Sequence, residues 1–450
     1  MIQIEINPIE CKIDHQVANI LRPILSYTAV FYQNGQYKKV RREYQKSTIT
    51  KDSEGCYFFS GYLDKVKVYL QEKNLAVRQI GGFPKYIYSQ PKLKGIDLRE
   101  DQLQLIEKAL KKGRGIIQAP TGSGKTIIGI ALYSCFDDIN LLWLCHTKDL
   151  MIQTAKEFKK FGFVSVGLIG DGKCETEKKI TIATRQSFSK IAEHMGTQYD
   201  MVIVDETHHV STFDGEYAKI LKNVYAPLRF GLTATLPDKE ESKMACEGLI
   251  GPVVASLSIN EGNNLGIIAK PRIKFLKMPK NHAIGELRKY ADVYNEGIVN
   301  NKTRNKAIIT KAKEHILNGD SVLILLTQIE HGNNLLSIAK ENELPIVFVQ
   351  GNTENEVRSQ VKTSLNEKKI KCVISTVIWN EGINIPELNV IINAAGGKSE
   401  IRTLQILGRG LRITDKKKEL ILWDIFDPSH KYLIEHFGER ICIYSDNEWL

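Results

Sequence analysis

Short apolar runs alternate with longer segments of helical spacing along most of the chain. The runs are too short for buried helices and end at turn-forming or polar residues, which is typical of strands in a covered sheet. In the middle of the chain, strands are expected at 115–117, 141–145, 164–169, 180–183, 201–204 and 228–232. Helices are expected between them, at 127–132, 150–161 and 186–193. This alternation predicts a doubly wound parallel sheet with helices on both faces.

A second block of the same kind follows residue 270. Its strands are expected at 273–276, 322–326, 346–349, 372–375, 390–393 and 420–424. The alternation lapses between 251 and 271, where Asn and Gly residues cluster, and we expect a hinge at 262–270. The pattern predicts two α/β lobes, at residues 91–265 and 266–450.

Residues 1–90 differ from the rest in composition and are expected to form a small α+β module. Strands are expected at 2–14, 29–37, 56–62 and 76–80, and helices at 16–26 and 64–73. Nine of the 17 tyrosines fall in this block, beside a basic cluster of Lys38, Lys39, Arg41, Arg42 and Lys46. Basic residues interleaved with aromatic ones favour nucleic acid contact. The alternative is that most of these tyrosines pack in the core of the module.

Composition narrows the class of protein. At 450 residues the chain has room for about three domains, and its hydrophobic fraction of 42% is that of a globular protein. No apolar run is long enough for a membrane helix and no signal peptide is evident, so we expect no membrane partner and a cytoplasmic location, in the host cytoplasm if the chain is phage-encoded. The eight cysteines form no C-x-x-C pair, and the net charge of +10 fits a polyanion partner only weakly.

The segment APTGSGKT at residues 119–126 joins an expected strand to an expected helix. Such a turn directs backbone N–H groups at one point, which suits phosphate. The cradle would be formed by Thr121, Gly122, Ser123 and Gly124, with the Lys125 ammonium reaching the β- and γ-phosphates and the Thr126 hydroxyl binding Mg²⁺. An ordinary Gly-rich turn is the alternative, but it rarely has a strand, a Lys-Thr pair and an apolar helix around it.

Acidic and hydroxyl residues follow two other expected strands. Asp205 and Glu206 come directly after the apolar run 201–204, and the segment Leu-Thr-Ala-Thr at 232–235 closes another run. Asp205 can hold Mg²⁺ through water, and Glu206 can position or deprotonate the attacking water. The sequence therefore predicts ATP hydrolysis with Mg²⁺ as the cofactor.

Two further groups bear on the nucleotide. Arg99 and Gln102 precede the loop, and a carboxamide can donate to N7 and accept from the N6 amine of adenine; a plain amphipathic helix is the alternative. Arg409 and Arg412 stand three residues apart after Gln405, on one side of an expected helix. They would act as arginine fingers on the γ-phosphate if the second lobe closed over the first, whereas a surface basic turn is the bland alternative.

The motifs APTGSGKT, VIVDETHH, LTAT and QILGRGLR occur in this order across residues 91–425, and in this the chain resembles the helicases and translocases of superfamily two. Its DETH motif and small N-terminal module are similar to those of phage branch-migration helicases of the UvsW type. The resemblance implies two RecA-like lobes, ATP and Mg²⁺, and branched or forked duplex DNA as the partner. Protein partners stay open, and a monomer is the working assumption for the oligomeric state.

The resemblance also implies roles for residues outside the motifs. Gln102 would read adenine, and Gly382 and Asn384 would lie in the motif that couples ATP to nucleic acid. The implied nucleic acid contacts are Thr147, Lys148, Thr184, Arg185, Thr327, Gly351 and Thr376. Asn384 stands where the family usually has Asp, and Cys145-His146 stands where Pro is frequent. These departures put the contact of Asn384 in doubt but leave Thr147 in place.

The expected function is an ATP-dependent DNA helicase or translocase that closes two lobes across a nucleic acid track. A duplex translocase that does not part strands, and an RNA helicase, would use the same residues. A nucleotide-dependent clamp is the non-enzymatic alternative, which the full set of Lys125, Asp205, Glu206 and Arg409 disfavours.

Overall fold

A computed structural model describes residues 1–34, 39–376, 385, 387–397 and 419–450. The chain divides into two compact units: Met1–Ala119 with Gly124–Leu257, and Ser258–Leu450 with Pro120–Ser123. In the described part of the chain, no helix is both long and apolar enough to cross a membrane.

The strands of the first unit belong to three sheets. In chain order they are β1 Ile2–Ile6, β2 Glu10–Ile13, β3 Ser26–Asn34, β4 Lys39–Ser47, β5 Thr50–Lys51, β6 Cys56–Phe59, β7 Val77–Gly81, β8 Arg114–Gln118, β9 Leu141–Cys145, β10 Val166–Gly170, β11 Lys173–Cys174, β12 Ile180–Thr184, β13 Met201–Asp205, β14 Leu228–Thr233 and β15 Val253–Ser256. The strands β5-β6-β2-β1-β7 form a small mixed sheet, and β3 pairs only with β4 among the described strands.

The helices of the first unit cover its sheets. They are α1 His15–Leu21, α2 Leu63–Glu72, α3 Glu100–Lys112, α4 Lys125–Ser134, α5 Lys148–Lys160, α6 Arg185–Phe188, α7 Ala192–Met195, α8 Glu216–Asn223 and α9 Glu240–Leu249. Short 3₁₀ turns span Ser60–Tyr62, Gly196–Gln198 and Thr207–His209.

The large sheet of the first unit has the order β11-β10-β12-β9-β13-β14-β8-β15. All its neighbouring strands run parallel except the short β11, which pairs antiparallel with β10. Side chains of β9 alternate between two apolar cores: Leu142 and Leu144 face one, and Leu141 and Trp143 face the other. A sheet with a core on each face is what the run of apolar residues predicted.

The N-terminal sheet packs onto one face of the large sheet. A single apolar cluster runs from β1, β2 and β6 through Tyr62 and Leu70 to Leu142, Val204 and Leu249. Because the core is continuous, residues 1–81 and the first parallel sheet fold as one compact unit.

The second unit has one sheet of the same kind. Its strands are β16 Lys270–Lys277, β17 Val322–Leu326, β18 Ile346–Val349, β19 Cys372–Thr376, β20 Val390–Asn393 and β21 Glu419–Phe426, in the order β16-β21-β20-β17-β19-β18. Every described pairing in this sheet is parallel. The described helices are α10 Ile259–Asn264, α11 His282–Gly285, α12 Tyr290–Tyr294, α13 Lys302–Leu317, α14 Ile329–Glu341, α15 Asn355–Asn366 and α16 Lys431–Asp446, with a π-helical turn at Asn295–Val299.

The predicted fold class is confirmed, since both sheets are parallel α/β sheets with cores on two faces. Three local predictions were wrong. The strand expected at 2–14 is a hairpin, because Asn7 Oδ1 accepts the N–H groups of Ile9 and Glu10 at 2.8 Å and turns the chain. The helix expected at 186–193 is two short helices, α6 and α7. Residues 251–271, where no regular elements were expected, contain β15 and α10. A capping box between Ser258 and Glu261 begins α10.

Candidate nucleotide site

Five neighbouring strands of the first unit end at one edge of the sheet with the residues singled out by sequence. The order β12-β9-β13-β14-β8 brings together the chain segments that follow Thr184, Cys145, Asp205, Thr233 and Gln118. Because the strands are parallel, their carboxyl ends share an edge, which is where ligands bind in open α/β sheets.

The Gly-rich loop leaves β8 and enters α4. The Ala119 N–H donates to the Thr233 carbonyl at 2.9 Å, which fixes the start of the loop to β14. Gly122 and Gly124 have φ values of 95° and 89°, a region that favours glycine. Lys125 is the first residue of α4 and is buried, and the N-terminus of a helix is a place where anions are favoured.

Gln102 lies against this loop. A Cβ added at Gly124 would be 2.7 Å from Gln102 Nε2, so only glycine leaves room for the carboxamide. Gln102 Oε1 accepts the backbone N–H of Arg99 at 3.2 Å, and the Arg99 guanidinium pairs with Asp101 at 2.9 Å. The buried carboxamide is therefore held in one orientation at the start of α3.

Asp205 ends β13, and its carboxyl group is buried. The pKa of Asp205 is raised to about 7, chiefly by burial and then by the charge of Glu206, against the opposing effects of Lys125, the Glu206 N–H and His209. The Glu206 N–H donates to Asp205 Oδ1 at 3.0 Å. A carboxylate in such a place is stabilised by a nearby cation.

Glu206 has a left-handed backbone, with φ of 51°, and precedes the 3₁₀ turn Thr207–His209. For a residue other than glycine this conformation costs about 1 kcal/mol or more, and such strain clusters at functional sites. His208 Nδ1 lies 3.4 Å from Glu206 Oε2 and 3.1 Å from Thr233 Oγ1. The Thr233 hydroxyl donates to the Thr235 carbonyl at 2.6 Å, so His208 joins Glu206 to the Leu-Thr-Ala-Thr turn.

Two histidines at this edge were missed by sequence reasoning. The rings of His146 and His209 are stacked, with centroids 3.6 Å apart and an interplanar angle of 11°. His209 also lies beside His208, at 4.3 Å between centroids. The departure from Pro before Thr147 was the available signal, but nothing in the sequence pairs residues 146 and 209.

The proposed nucleic acid contacts of the first unit lie at the ends of β9 and β12. Thr147 caps α5 by accepting the Leu150 N–H at 3.3 Å, and Lys148 forms an ion pair with Asp171. Thr184 caps α6. Arg185 forms an ion pair with Glu216, so a phosphate at this guanidinium would compete with a carboxylate.

The proposed contacts of the second unit follow β17, β18 and β19. Thr327 shares a hydrogen bond with the Tyr294 hydroxyl, Gly351 lies in the turn after β18, and Thr376 is the buried last residue of β19. Several predicted site residues lie outside the described part of the chain: Gly382, Asn384, Gln405, Arg409 and Arg412.

The described residues fit a nucleoside triphosphate with Mg²⁺. The loop requires glycine where it approaches Gln102, the Lys125 side chain is buried, and the Asp205 carboxyl group has a raised pKa that a divalent cation would lower. Thr126 follows Lys125 on the first turn of α4, so its hydroxyl and the Asp205 carboxylate are the residues that would hold the ion.

Two families match the chain by sequence. The family described as "Type III restriction enzyme, res subunit" matches residues 95–238, and "Helicase conserved C-terminal domain" matches residues 303–414. Together the two matches span more than half of the chain.

Individual relatives agree with these matches. The ATP-dependent DNA helicase uvsW of Enterobacteria phage T4 is 24% identical over 382 residues, 77% of this chain and 75% of that protein. The DNA 3'-5' translocase XPB2 of Sulfurisphaera tokodaii is 28% identical over 364 residues, 72% of this chain and 81% of that protein. A solved fragment of a putative HsdR subunit from Vibrio vulnificus has 16% identity and a TM-score of 0.57, covering 89% of this chain and 87% of that one; this likeness concerns the fold alone.

The parallel sheets and the phosphate loop define a P-loop nucleotide hydrolase built on RecA-like lobes. The chain is an ATP-hydrolysing helicase of superfamily two, and it resembles the UvsW helicase of phage T4.

Proposed function

We propose that this helicase is a DNA motor that acts on branched substrates, namely four-way junctions and forks, in recombination and repair. The observation that carries the proposal is the juxtaposition of the phosphate loop with Asp205 and Glu206 at one sheet edge, in a chain similar to a phage DNA helicase. The similarity to a DNA translocase supports DNA as the track.

Within the first unit, each side chain at the edge has a distinct task. Lys125 and the loop N–H groups hold the phosphates, and Gln102 orients the base. Glu206, whose carboxylate is partly exposed, orients the attacking water towards the γ-phosphate and accepts a proton from that water. When bound with Thr126 and Asp205, Mg²⁺ neutralises charge on the phosphate oxygens.

Further positive charge at the γ-phosphate would come from the second lobe. We propose that Arg409 and Arg412, with Gln405, reach the γ-phosphate when the lobes close, and that Gly382 and Asn384 link this closure to the nucleic acid. The contacts that would grip the DNA backbone are Thr147, Lys148, Thr184, Arg185, Thr327, Gly351 and Thr376. Phosphate contacts carry no base preference, which suits a motor that moves along any sequence.

The N-terminal module is proposed to hold the DNA branch. Strands β3 and β4 form a two-stranded ribbon of nine residue pairs, about 30 Å long, with exposed Arg42 and Tyr44 on β4. Its base is tied to α9, where the Tyr27 hydroxyl donates to Glu241 at 2.7 Å. A basic ribbon with an exposed aromatic ring is suited to phosphates and unpaired bases.

The test is a comparison of ATP hydrolysis and strand displacement on single strands, blunt duplex, forks and four-way junctions, with RNA as a control. We expect forks and junctions to give the strongest stimulation and to be unwound. Arg42→Ala with Tyr44→Ala should lower this preference while leaving hydrolysis on single strands near the parent value, since neither residue belongs to the strand ends and loops that form the nucleotide edge.

Two rival functions predict different results. Hydrolysis stimulated by duplex, with no strand displacement on any substrate, would replace the proposal with a duplex translocase. Stimulation by RNA over DNA would replace it with an RNA helicase.

A further inference from the structure

The stacked pair of His146 and His209 joins two segments that have separate tasks. The two rings are nearly parallel, with centroids 3.6 Å apart, and the residues lie in the segments that follow β9 and β13. Aromatic pairs at such distances contribute to packing beyond the area they bury. Any displacement of one ring therefore acts on the other.

His209 belongs to the turn that holds Glu206. The His209 N–H donates to the Glu206 carbonyl at 3.0 Å, and the Val210 N–H donates to the Thr207 carbonyl at 2.9 Å. Glu206 itself has the left-handed φ of 51°. Because His209 closes the turn by this hydrogen bond, the position of His209 bears directly on the backbone of Glu206.

Cross-links to the rest of the site limit how this turn can move. Thr207 Oγ1 donates to the Val204 carbonyl at 3.0 Å, and a Cβ at Gly231 would be 2.4 Å from that hydroxyl, so Thr207 is fixed against β13 and β14. His208 is held by Thr233. The turn is therefore held as a whole, and the hydrogen bond from the His209 N–H to the Glu206 carbonyl is a direct connection between the stack and Glu206.

His146 is adjacent to a proposed DNA contact. The next residue, Thr147, caps the N-terminus of α5, and Lys148, the first residue of that helix, pairs with Asp171. A phosphate that engaged Thr147 or Lys148 would act on the backbone that carries the His146 ring. The effect would reach His209 because the two rings are in direct contact.

We infer that the His146–His209 stack is a positioning device that transmits DNA engagement at Thr147 and Lys148 to the Glu206 carboxylate. The stack supports Glu206 in its productive direction when the turn before α5 carries a phosphate. This inference rests on the proposed function, because Thr147 contacts DNA only in that proposal. A link of this kind needs contiguous contacts, and the ring stack with the hydrogen-bonded turn 206–209 supplies them.

The test compares ATP turnover with and without forked DNA in His209→Ala and His209→Phe, with DNA affinity measured in parallel. His209→Ala should lower the ratio of DNA-stimulated to basal turnover by about twofold to tenfold, the range expected for one aromatic pair, with DNA affinity nearly unchanged. His209→Phe keeps a flat ring and should restore most of the ratio, which a general loss of folding would not allow. His194→Ala, an exposed histidine on α7, is the matched control and should retain the parent ratio.

The partner residue gives an independent check. His146→Ala should lower the ratio as His209→Ala does, and the double variant should be no worse than either single one, because both remove the same contact. Three results would overturn the inference. The first is additive losses of the turnover ratio in the double variant, and the second is the parent ratio in His209→Ala. The third is a ratio in His209→Phe as low as that in His209→Ala. Parent protein that no DNA stimulates would instead overturn the proposed function, and the inference with it.

Discussion

The carboxyl group of Asp205 is buried, and burial disfavours its ionised form. Its pKa is raised to about 7, chiefly by burial and then by Glu206. An unfolded Asp ionises near pH 4. As pH rises from about 4 to about 7, the unfolded chain gains an ionised group that the folded chain does not, so this residue lowers stability progressively over that range. This loss of stability is what we expect of a carboxylate placed to bind a cation.

Replacing Asp205 by Asn should therefore stabilise the protein in the absence of nucleotide and Mg²⁺. We expect the free energy of unfolding to rise by about 1–4 kcal/mol at pH 8 and by less at pH 5. Denaturant melts of both proteins at the two pH values measure this. Asp137→Asn, at an exposed site, is the control and should show no such pH dependence. A gain that is equal at both pH values, or larger at pH 5, would contradict the assigned cause.

Single residues were predictable where the chemistry is contiguous in sequence. The run 119–126 and the pair Asp205-Glu206 can each be recognised in the sequence because each follows an apolar run that forms a strand. Both strands end at the same edge of the sheet. The stack of His146 on His209 was not predictable, since it joins residues 63 positions apart whose partners are set by sheet order. The ion pair of Arg185 with Glu216 was invisible for the same reason.

Helix α9 connects the N-terminal sheet to the nucleotide edge. The Tyr62 hydroxyl donates to the Met244 carbonyl at 2.6 Å, and the Cys246 thiol lies 3.4 Å from the Thr207 carbonyl. Gly61 is so close to this helix that an added Cβ would be 2.0 Å from the Glu247 carbonyl oxygen. The small sheet is thus packed directly onto the element that supports the Asp205–His209 segment.

Gly61→Ala should weaken the contact between the small N-terminal sheet and α9. A methyl group at 2.0 Å from a backbone oxygen forces the sheet from α9, at a cost of about 1–3 kcal/mol, and should increase proteolysis within residues 1–81. Thermal melting and limited proteolysis are the measurements. Gly438→Ala on α16 is the control, because nothing lies within 4 Å of its added Cβ and helix propensity predicts a gain of about 0.5–1 kcal/mol. Equal behaviour of the two variants would show that this contact tolerates the methyl group.

At the scale of elements, prediction succeeded where burial dictates the pattern. The expected strands at 141–145, 322–326, 346–349 and 390–393 coincide with β9, β17, β18 and β20; all four are apolar runs, and β9, β17 and β20 are buried throughout. Strand β4 was missed because its sequence, KVRREYQKS, has no apolar face; it is a strand because all nine of its residues pair with β3. Such pairing is set by tertiary context.

For the whole molecule, the order of motifs carries more information than any one of them. Four motifs across two parallel α/β sheets identify the superfamily, and the matched regions fall on both lobes. What the motifs could not supply is the choice of track and the movement on it. Both depend on contacts with the nucleic acid, which no spacing rule specifies.

If the phosphate loop drives movement on branched DNA, that movement must depend on Lys125. The measurement is the rate at which the protein converts a four-way junction into duplex products with ATP, compared between the parent and Lys125→Ala. We predict a loss of about 100-fold or more in Lys125→Ala while binding to the junction is retained, because the lysine serves the phosphates. Conversion at the parent rate by Lys125→Ala, or no conversion by the parent under conditions where it hydrolyses ATP on the junction, would contradict the account.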